Sequence, residues 1–337
     1  MINKIYVKFK NFIKENYKQL IFLIIFYIVM TFPLPYYICV SGGTIDVNDR
    51  VAIENSSKSE GSFNLAYVSE IRATIPTLLF SYIIPSWERI EISDYKSSDN
   101  ETVEDVETRD KLYLEEGNLN ALKVAYTTAN KTLTIINNQY HIIYVDSKVE
   151  ADIRVGDVLL SADGIEINDI SDYKKIVEAK DYGDTIKLEL VRDDKNITRD
   201  IEVKKIDGKK LTGISIVNIF EYEADPSIEF NFDKNESGSS GGLMLTLSIY
   251  DKLVDEDITK GLKIVGTGTI DSEGNVGEIG GVKYKLMGAV KAKADVFLAP
   301  KGGNYEDCVK LKEEKNYDIE ILEIETFEDA LTKLKNI

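Results

Sequence analysis

Residues 235–244 read "NESGSSGGLM", and "LTLSIYDKL" follows at 245–253. Gly238 through Gly242 are small residues in an unbroken row, a composition usual in flexible linkers. What comes next is apolar on most sides of a helical wheel, which predicts a helix buried in a core. A loose run that opens straight into a buried helix has a chemical use. Such a turn exposes a serine hydroxyl, and the free N–H groups of the first helical turn can hold an oxyanion. A serine hydroxyl also needs a base. His141 is the sole histidine and lies in another module of the chain. The remaining common choice is a lysine held neutral by burial. An unperturbed lysine has a pKa of about 10.4. Desolvation can bring it toward about 7–8, the range a general base needs. "EIGGVKYKLMGAV" (278–290) supplies two lysines in an apolar, glycine-framed setting, Lys283 and Lys285. Two bland readings stand beside this one: a plain linker at 238–242, and solvated helix lysines.

The whole chain has 337 residues, enough for two or three domains, and a formal charge of −17. An acidic chain has no field to gather phosphates, so nucleic acid is not an expected partner. Two cysteines, Cys39 and Cys308, exclude a disulfide-dense scaffold and a multi-cysteine metal site. One histidine excludes a histidine-rich zinc site, so no metal is expected.

Leu20 to Val40, "LIFLIIFYIVMTFPLPYYICV", is 21 residues without a charge, about the length a helix needs to cross a bilayer core. Pro33 and Pro35 mark a kink or an early end, with Tyr36 and Tyr37 at the outer interface. Lys4, Lys8, Lys10, Lys14 and Lys18 precede the run against Glu15 alone. The positive-inside bias then puts the N-terminus in the cytoplasm and the remainder outside, at the cell membrane. A cleaved signal peptide is the competing reading; the run is long for one and lacks an obvious small-x-small site. Cys39 reads as an ordinary membrane-edge residue.

Beyond it, 42–71 reads as short strands around a polar turn near Asn55–Gly61, with Phe63, Leu65 and Tyr67 alternating. Residues 93–110 are acidic and polar, a loop or a helix start, and 111–129 is helical. Residues 131–206 form a separate module. "HIIYVD" is a strand, "RVGDVLLSADGIEI" turns around a second, "ISDYKKIVEA" is a short amphipathic helix, and "GDTIKLELVRDDKNITRDIEV" is a hairpin turning at Asp193–Asn196. The last 130 residues alternate strands and helices, from "GISIVNIF" and "SIEFNF" to the closing "TFEDALTKLKNI". That order predicts an α/β domain with an open sheet.

The middle module, with "VGDVLLSADG" and "GDTIKLELVRD", resembles a PDZ domain. The resemblance implies a mostly β fold that adds an extended peptide to a sheet edge. Its carboxylate-binding loop is expected near "NNQYHII" (137–143), although the glycines usual there are missing. "GSSGGLM", "GTGTIDSEGNVGEIGGVKYK" and "ADVFLAP" together resemble the proteolytic domain of Lon, peptidase family S16. With a membrane span in front, the chain is similar to PDZ-containing, membrane-anchored Lon-like proteases. The resemblance places the nucleophile at Ser240, the base at Lys285, and a lysine-contacting threonine at Thr267. Gly238, Ser239 and Gly241 are the backbone candidates for the oxyanion site. Ser237, Ser239 and Gly241 stand where the family has Asp, Pro and Ala. No G-x-x-x-x-G-K-[ST] loop occurs, so no nucleotide or other cofactor is implied and the substrate is loose or partly unfolded polypeptide.

"GGTIDVNDRVAIE", "EGSFNLAYV" and "YLEEGNLNALKVAY" also follow the opening order of a Lon proteolytic domain. The expected organisation is a basic tail (1–18), a transmembrane helix (19–41), a first protease segment (42–130), an inserted PDZ domain (131–206) and the remaining α/β (α+β) protease segment (207–337). The expected activity is that of a membrane-anchored, ATP-independent serine endopeptidase with a Ser-Lys dyad, acting on exported or membrane-associated polypeptides that the PDZ module recruits. A non-catalytic membrane scaffold with a decayed protease fold is the alternative.

Overall fold

A computed structural model describes residues 2–54, 56, 59–206 and 208–337. Asn55, Ser57 and Lys58 of the polar turn expected near Asn55–Gly61 lie outside the described residues. In chain order the elements are α1 (Ile2–Thr31), β1 (Tyr36–Asp46), β2 (Val51–Ile53), β3 (Ser62–Arg72), α2 (Ile75–Ser81), β4 (Glu88–Glu91), α3 (Ile92–Tyr95) and α4 (Val103–Thr128). The middle module holds β5 (Thr132–Val145), β6 (Val158–Ala162), β7 (Ile165–Glu166), α5 (Ile170–Glu178), β8 (Thr185–Arg192) and β9 (Lys195–Glu202). Then come β10 (Lys204–Ile206), β11 (Lys209–Leu211), β12 (Ile214–Asp225), β13 (Ile228–Phe230), α6 (Gly242–Leu253), β14 (Lys263–Gly266), β15 (Thr269–Ile270) and β16 (Val276–Gly277). The chain closes with α7 (Val282–Lys291), β17 (Val296–Pro300), α8 (Gly303–Lys315), β18 (Glu320–Ile324) and α9 (Phe327–Lys335). Two compact units result, one of Met1–Val40 and Ser69–Tyr95, the other of Ser41–Val68 and Lys96–Ile337.

The first unit corrects the expected transmembrane helix at 19–41. Helix α1 stops at Thr31, because Pro33 and Pro35 cannot donate to a helical ladder. The chain then turns to strand, and Tyr36–Cys39 pairs antiparallel with Glu88–Glu91. The uncharged part of α1 is therefore only 20–31, and Lys14, Glu15 and Lys18 share the same helix. Among the described residues, no helix is long and apolar enough to cross a membrane.

In the second unit, β18, β17, β14 and β3 lie side by side in one parallel run. Alternation along these strands separates two cores, as a period of two requires. Phe63, Ile264, Val296 and Leu298 face α4, α6 and α9, while Ala66, Val265, Phe297 and Ala299 face α7 and α8. The helix predicted from "GGLMLTLSIYDKLV" is buried along nearly its whole length. Strand β3, before the middle module, pairs with β14, after it, through Ser62–Leu65 and Lys263–Gly266. Glu104 and Asp105 sit in the first turn of α4, and Thr102 caps it with Asp105. The acidic stretch at 93–110 thus contains the start of a long helix.

The middle module is a sheet in the order β12-β5-β6-β8-β9, with α5 against it and its own apolar core. The β8–β9 hairpin turns at Asp193 and Asp194, both at positive φ, as a two-residue turn demands. Three expectations are corrected here. "GISIVNIF" was expected in the open sheet of the last domain; it begins β12, which pairs with β5 from Ile214↔Val145 to Asp225↔Thr132. "SIEFNF" supplies β13, which pairs with β2 rather than entering the open sheet. The carboxylate-binding loop expected at 137–143 is instead the interior of β5, which carries β12 on one side and β6 on the other at Tyr140 and His141.

The helix–sheet contact behind the serine stretch is tight. A Cβ added at Gly266 would lie 2.6 Å from Met244 Sδ of α6 and 2.8 Å from Leu298 Cβ of the neighbouring strand. Gly266→Val should destabilise the fold by about 1–3 kcal/mol, the usual cost of overpacking. Denaturant unfolding of the variant against the parent measures it, and an unchanged midpoint would contradict the close approach.

Candidate active site

The serine stretch is held from two sides. Gly238 takes φ +82°, a left-handed conformation that glycine adopts without strain. Its N–H donates to the Asp110 carbonyl of α4 at 2.9 Å. Two turns further along the same helix, a Cβ on Gly117 would sit 3.3 Å from Ser239 Cβ, so any side chain there would press on Ser239. On the opposite side, the Ser240 carbonyl accepts from Thr267 Oγ1 at 2.9 Å and from the Gly268 N–H at 2.9 Å. The Leu243 N–H returns a bond to the Gly268 carbonyl at 3.0 Å. The start of α6 is thereby stitched to the C-terminal end of β14.

Lys285 arrives from the other face of the sheet, on α7. Its Nζ donates to Ser240 Oγ at 2.7 Å and to Thr267 Oγ1 at 3.0 Å. The Thr267 hydroxyl has one proton, and the Ser240 carbonyl takes it, so the threonine oxygen turns its lone pairs to Nζ. Lys285 is 4% exposed and Thr267 fully buried. Burial disfavours an ammonium relative to an amine. Lys283 points elsewhere: its Nζ, half exposed, pairs with Asp307 at 3.0 Å.

Alpha-7 is placed by contacts that periodicity does not announce. Gly281, at φ +68°, begins it. Asn304 clamps the preceding loop from both sides, its Oδ1 accepting from Ile279 N–H at 2.8 Å and its Nδ2 donating to the Ile279 carbonyl at 3.1 Å. Ser41 Oγ donates to the Tyr284 carbonyl at 3.0 Å. Neither Asn304 nor Ser41 carried a sequence signal, and neither did Asp110, which acts through its backbone.

The structure brings together Ser240, Thr267 and Lys285. Of the three backbone candidates for an oxyanion site it removes one, since the Gly238 N–H is already bonded to Asp110. Ser239, Ser240 and Gly241 precede the first helical residue, and their N–H groups remain the backbone candidates. His141 lies in β5, where burial pushes its imidazole below the usual value. Burial pushes the Cys308 thiol up to about 12, which leaves it inert. Among the described residues no group of His, Cys, Asp and Glu could hold a metal ion. A cleft of about 650 Å³ between the first turns of α4 and the loops of the middle module is lined by none of the three.

Residues 234–335 match the family model of the Lon protease (S16) C-terminal proteolytic domain. Residues 121–203 match the PDZ domain model. Two curated relatives, the Lon proteases of Campylobacter jejuni and Campylobacter concisus, are each 31% identical over 96 residues. That stretch is 28% of this chain and 12% of each relative, so the likeness spans a small part of their length. Among solved structures, the PDZ domain of an SdrC-like protein from Listeria monocytogenes is 25% identical, covering 25% of this chain and 93% of that one at a TM-score of 0.23. The second domain of a listeria protein is 23% identical, covering 26% and 88% at 0.22. The chain thus contains a PDZ domain and an S16-type proteolytic domain, and these matches support a serine peptidase.

The approach of α4 makes Gly117 a sensitive position. Gly117→Val should push Ser239, and Ser240 with it, away from Lys285. Peptide hydrolysis should fall about ten- to a hundredfold, the scale of a small misplacement at a reacting group. Initial rates measured beside the melting curve check this; full activity with an intact fold would show that α4 does not set the serine.

Proposed function

We propose that the chain is a serine endopeptidase in which Ser240 is the nucleophile and Lys285 its base. The observation that carries this reading is the 2.7 Å approach of Nζ to Oγ in a buried setting. With the amine neutral, the same contact runs the other way, and the Ser240 hydroxyl donates to the Nζ lone pair. As Oγ bonds to the peptide carbonyl carbon, its proton passes to Nζ. The carbonyl oxygen, now negative, is met by backbone N–H groups of the Ser239–Gly241 turn before α6. Nζ then returns the proton to the leaving amine, and the acyl–serine ester remains. Water, deprotonated by the same amine, hydrolyses that ester and restores Ser240. Thr267 accepts from Nζ throughout and holds it in line.

The substrate in this reading is loose or partly unfolded polypeptide outside the cytoplasm, with the chain attached to the cell membrane through its N-terminal apolar residues. The lysines that precede that segment, Lys4 to Lys18, support its attachment to an anionic bilayer surface. The PDZ domain recruits substrate. With both sides of β5 occupied, the outer edge of β12 is where an extended segment would add; that strand starts beside α5, where Tyr173 Oη meets Thr212 Oγ1 at 2.8 Å.

Ser240→Ala and Lys285→Ala should each reduce hydrolysis of a casein-like unfolded substrate to background, and the double variant should be no worse than either, as for groups that act as a unit. Lys283→Ala should keep most of the activity. A dead Lys283→Ala with an active Lys285→Ala would reverse the assignment of the base.

The rate should also rise with pH through the neutral range, because only the deprotonated Lys285 accepts the serine proton. A chelator should leave it unchanged. An optimum near pH 5, or loss of activity on chelation, would argue for another chemistry.

A further inference from the structure

The first unit carries an apolar surface that the candidate site does not use. Every residue from Ile21 to Val29 on α1 is exposed. Successive residues on a helix stand about 100° apart, so these side chains look out on all sides. A folded partner covers one side of a helix; hydrocarbon covers all of them. The residues before this run include Lys8, Lys10, Lys14 and Lys18, which suit anionic headgroups. The uncharged part of α1, residues 20–31, is about 18 Å long, short of the ~30 Å of a bilayer core.

A second apolar element belongs to the same unit and touches α1. Helix α2 and the turn that leaves it present Leu79 and Phe80, with Tyr82 69% and Ile83 74% exposed. Much of the backbone of this turn bonds within the turn. The Tyr82 N–H donates to the Leu79 carbonyl, those of Ile83 and Ile84 to Phe80, and that of Trp87 to Ile84. The Arg89 guanidinium caps the Ser81 carbonyl at 2.9 Å. Internal satisfaction of this kind is what lets backbone leave water. The rim is aromatic and cationic: Arg89 lies 4.1 Å above the Tyr82 ring, Arg72 lies 5.5 Å from that of Tyr37, and Trp87 follows. Tyrosine, tryptophan and arginine are the side chains of the headgroup layer. At seven residues α2 is far too short to span anything.

We infer that Ile75–Trp87 is a second lipid-contacting element, with α2 lying in the interfacial layer of a phospholipid bilayer and Leu79, Phe80 and Ile83 entering the acyl boundary. This rests on the membrane attachment proposed above and is independent of the peptidase chemistry. It adds a fixed contact between the membrane and the segment that joins β3 to β4, beyond the single tether at the N-terminus.

Trp87 is the only tryptophan, so tryptophan emission of the full chain, excited selectively over its tyrosines, reports on this element alone. The chain is reconstituted into vesicles of phosphatidylcholine and phosphatidylglycerol. Trp87 emission should shift to the blue, be quenched by lipids brominated near the glycerol, and be shielded from iodide. Leu79→Gln/Phe80→Gln/Ile83→Gln should still float with vesicles through α1 but lose the blue shift and the bromolipid quenching. Flotation of the parent with Trp87 emitting as in water would overturn the inference while leaving attachment through α1 intact. Failure to float at all would overturn both. A blue shift that appears without lipid and grows with protein concentration would assign the surface to a second copy of this chain.

Discussion

The contact between Lys285 Nζ and Ser240 Oγ sets the terms for everything around it. A lysine amine is useful as a base only where water is scarce, and a serine hydroxyl is useful only where a peptide can reach it. The parallel strands resolve the conflict. Alpha-6 packs one face of the sheet and α7 the other, and the two side chains meet past the C-terminal end of β14, where Thr267 closes the gap. The sheet keeps Lys285 dry from behind while the serine turn remains a turn. Placement at the carboxyl ends of parallel strands is the usual location of sites in open α/β sheets.

Alpha-4 has the second organising role. Its inner side fixes the serine turn through the Asp110 carbonyl and the bare Cα of Gly117. Leu112 and Leu119 of the same helix pack against Val217, Ile219 and Phe220 of β12, which belongs to the PDZ sheet. One rigid element therefore touches both the serine turn and the strand whose outer edge is free. Strand β12 then runs through β13, paired with β2, into the serine turn itself. The PDZ domain is joined to the proteolytic core by side-chain packing, not only by its two chain ends.

Much of this was legible in the residues. Gly238–Gly242 followed by an apolar helix, and the glycine-framed lysines at 278–290, mark a serine and a pair of lysines; the resemblance to the S16 proteolytic domain picks Ser240, Lys285 and Thr267, and those three side chains are in contact. The alternation of strands and helices after residue 241 is present as read, because period two and period 3.6 are local properties. Less legible were the residues that place the site. Asp110 contributes a carbonyl, Asn304 a two-sided amide clamp and Ser41 a hydroxyl to Tyr284. A backbone carbonyl has no residue identity, and a single Asn or Ser has no pattern.

Sequence by itself determined most of the strands and helices after residue 241, the burial of α6, and a small set of serines and lysines with the chemistry to act together. Tertiary structure alone decided the partners. "GISIVNIF" alternates as any half-buried strand does, and nothing in alternation says which edge it will join; it joined β5 and turned the expected loop at 137–143 into the middle of a ladder. The uncharged run at 20–40 satisfies a length rule, yet the prolines at 33 and 35 divide it, and Tyr36–Cys39 finds its hydrogen bonds in β4, some fifty residues away. Local propensity is carried by neighbours in the chain, whereas pairing is settled by which distant backbone groups are left to bond once the cores have formed.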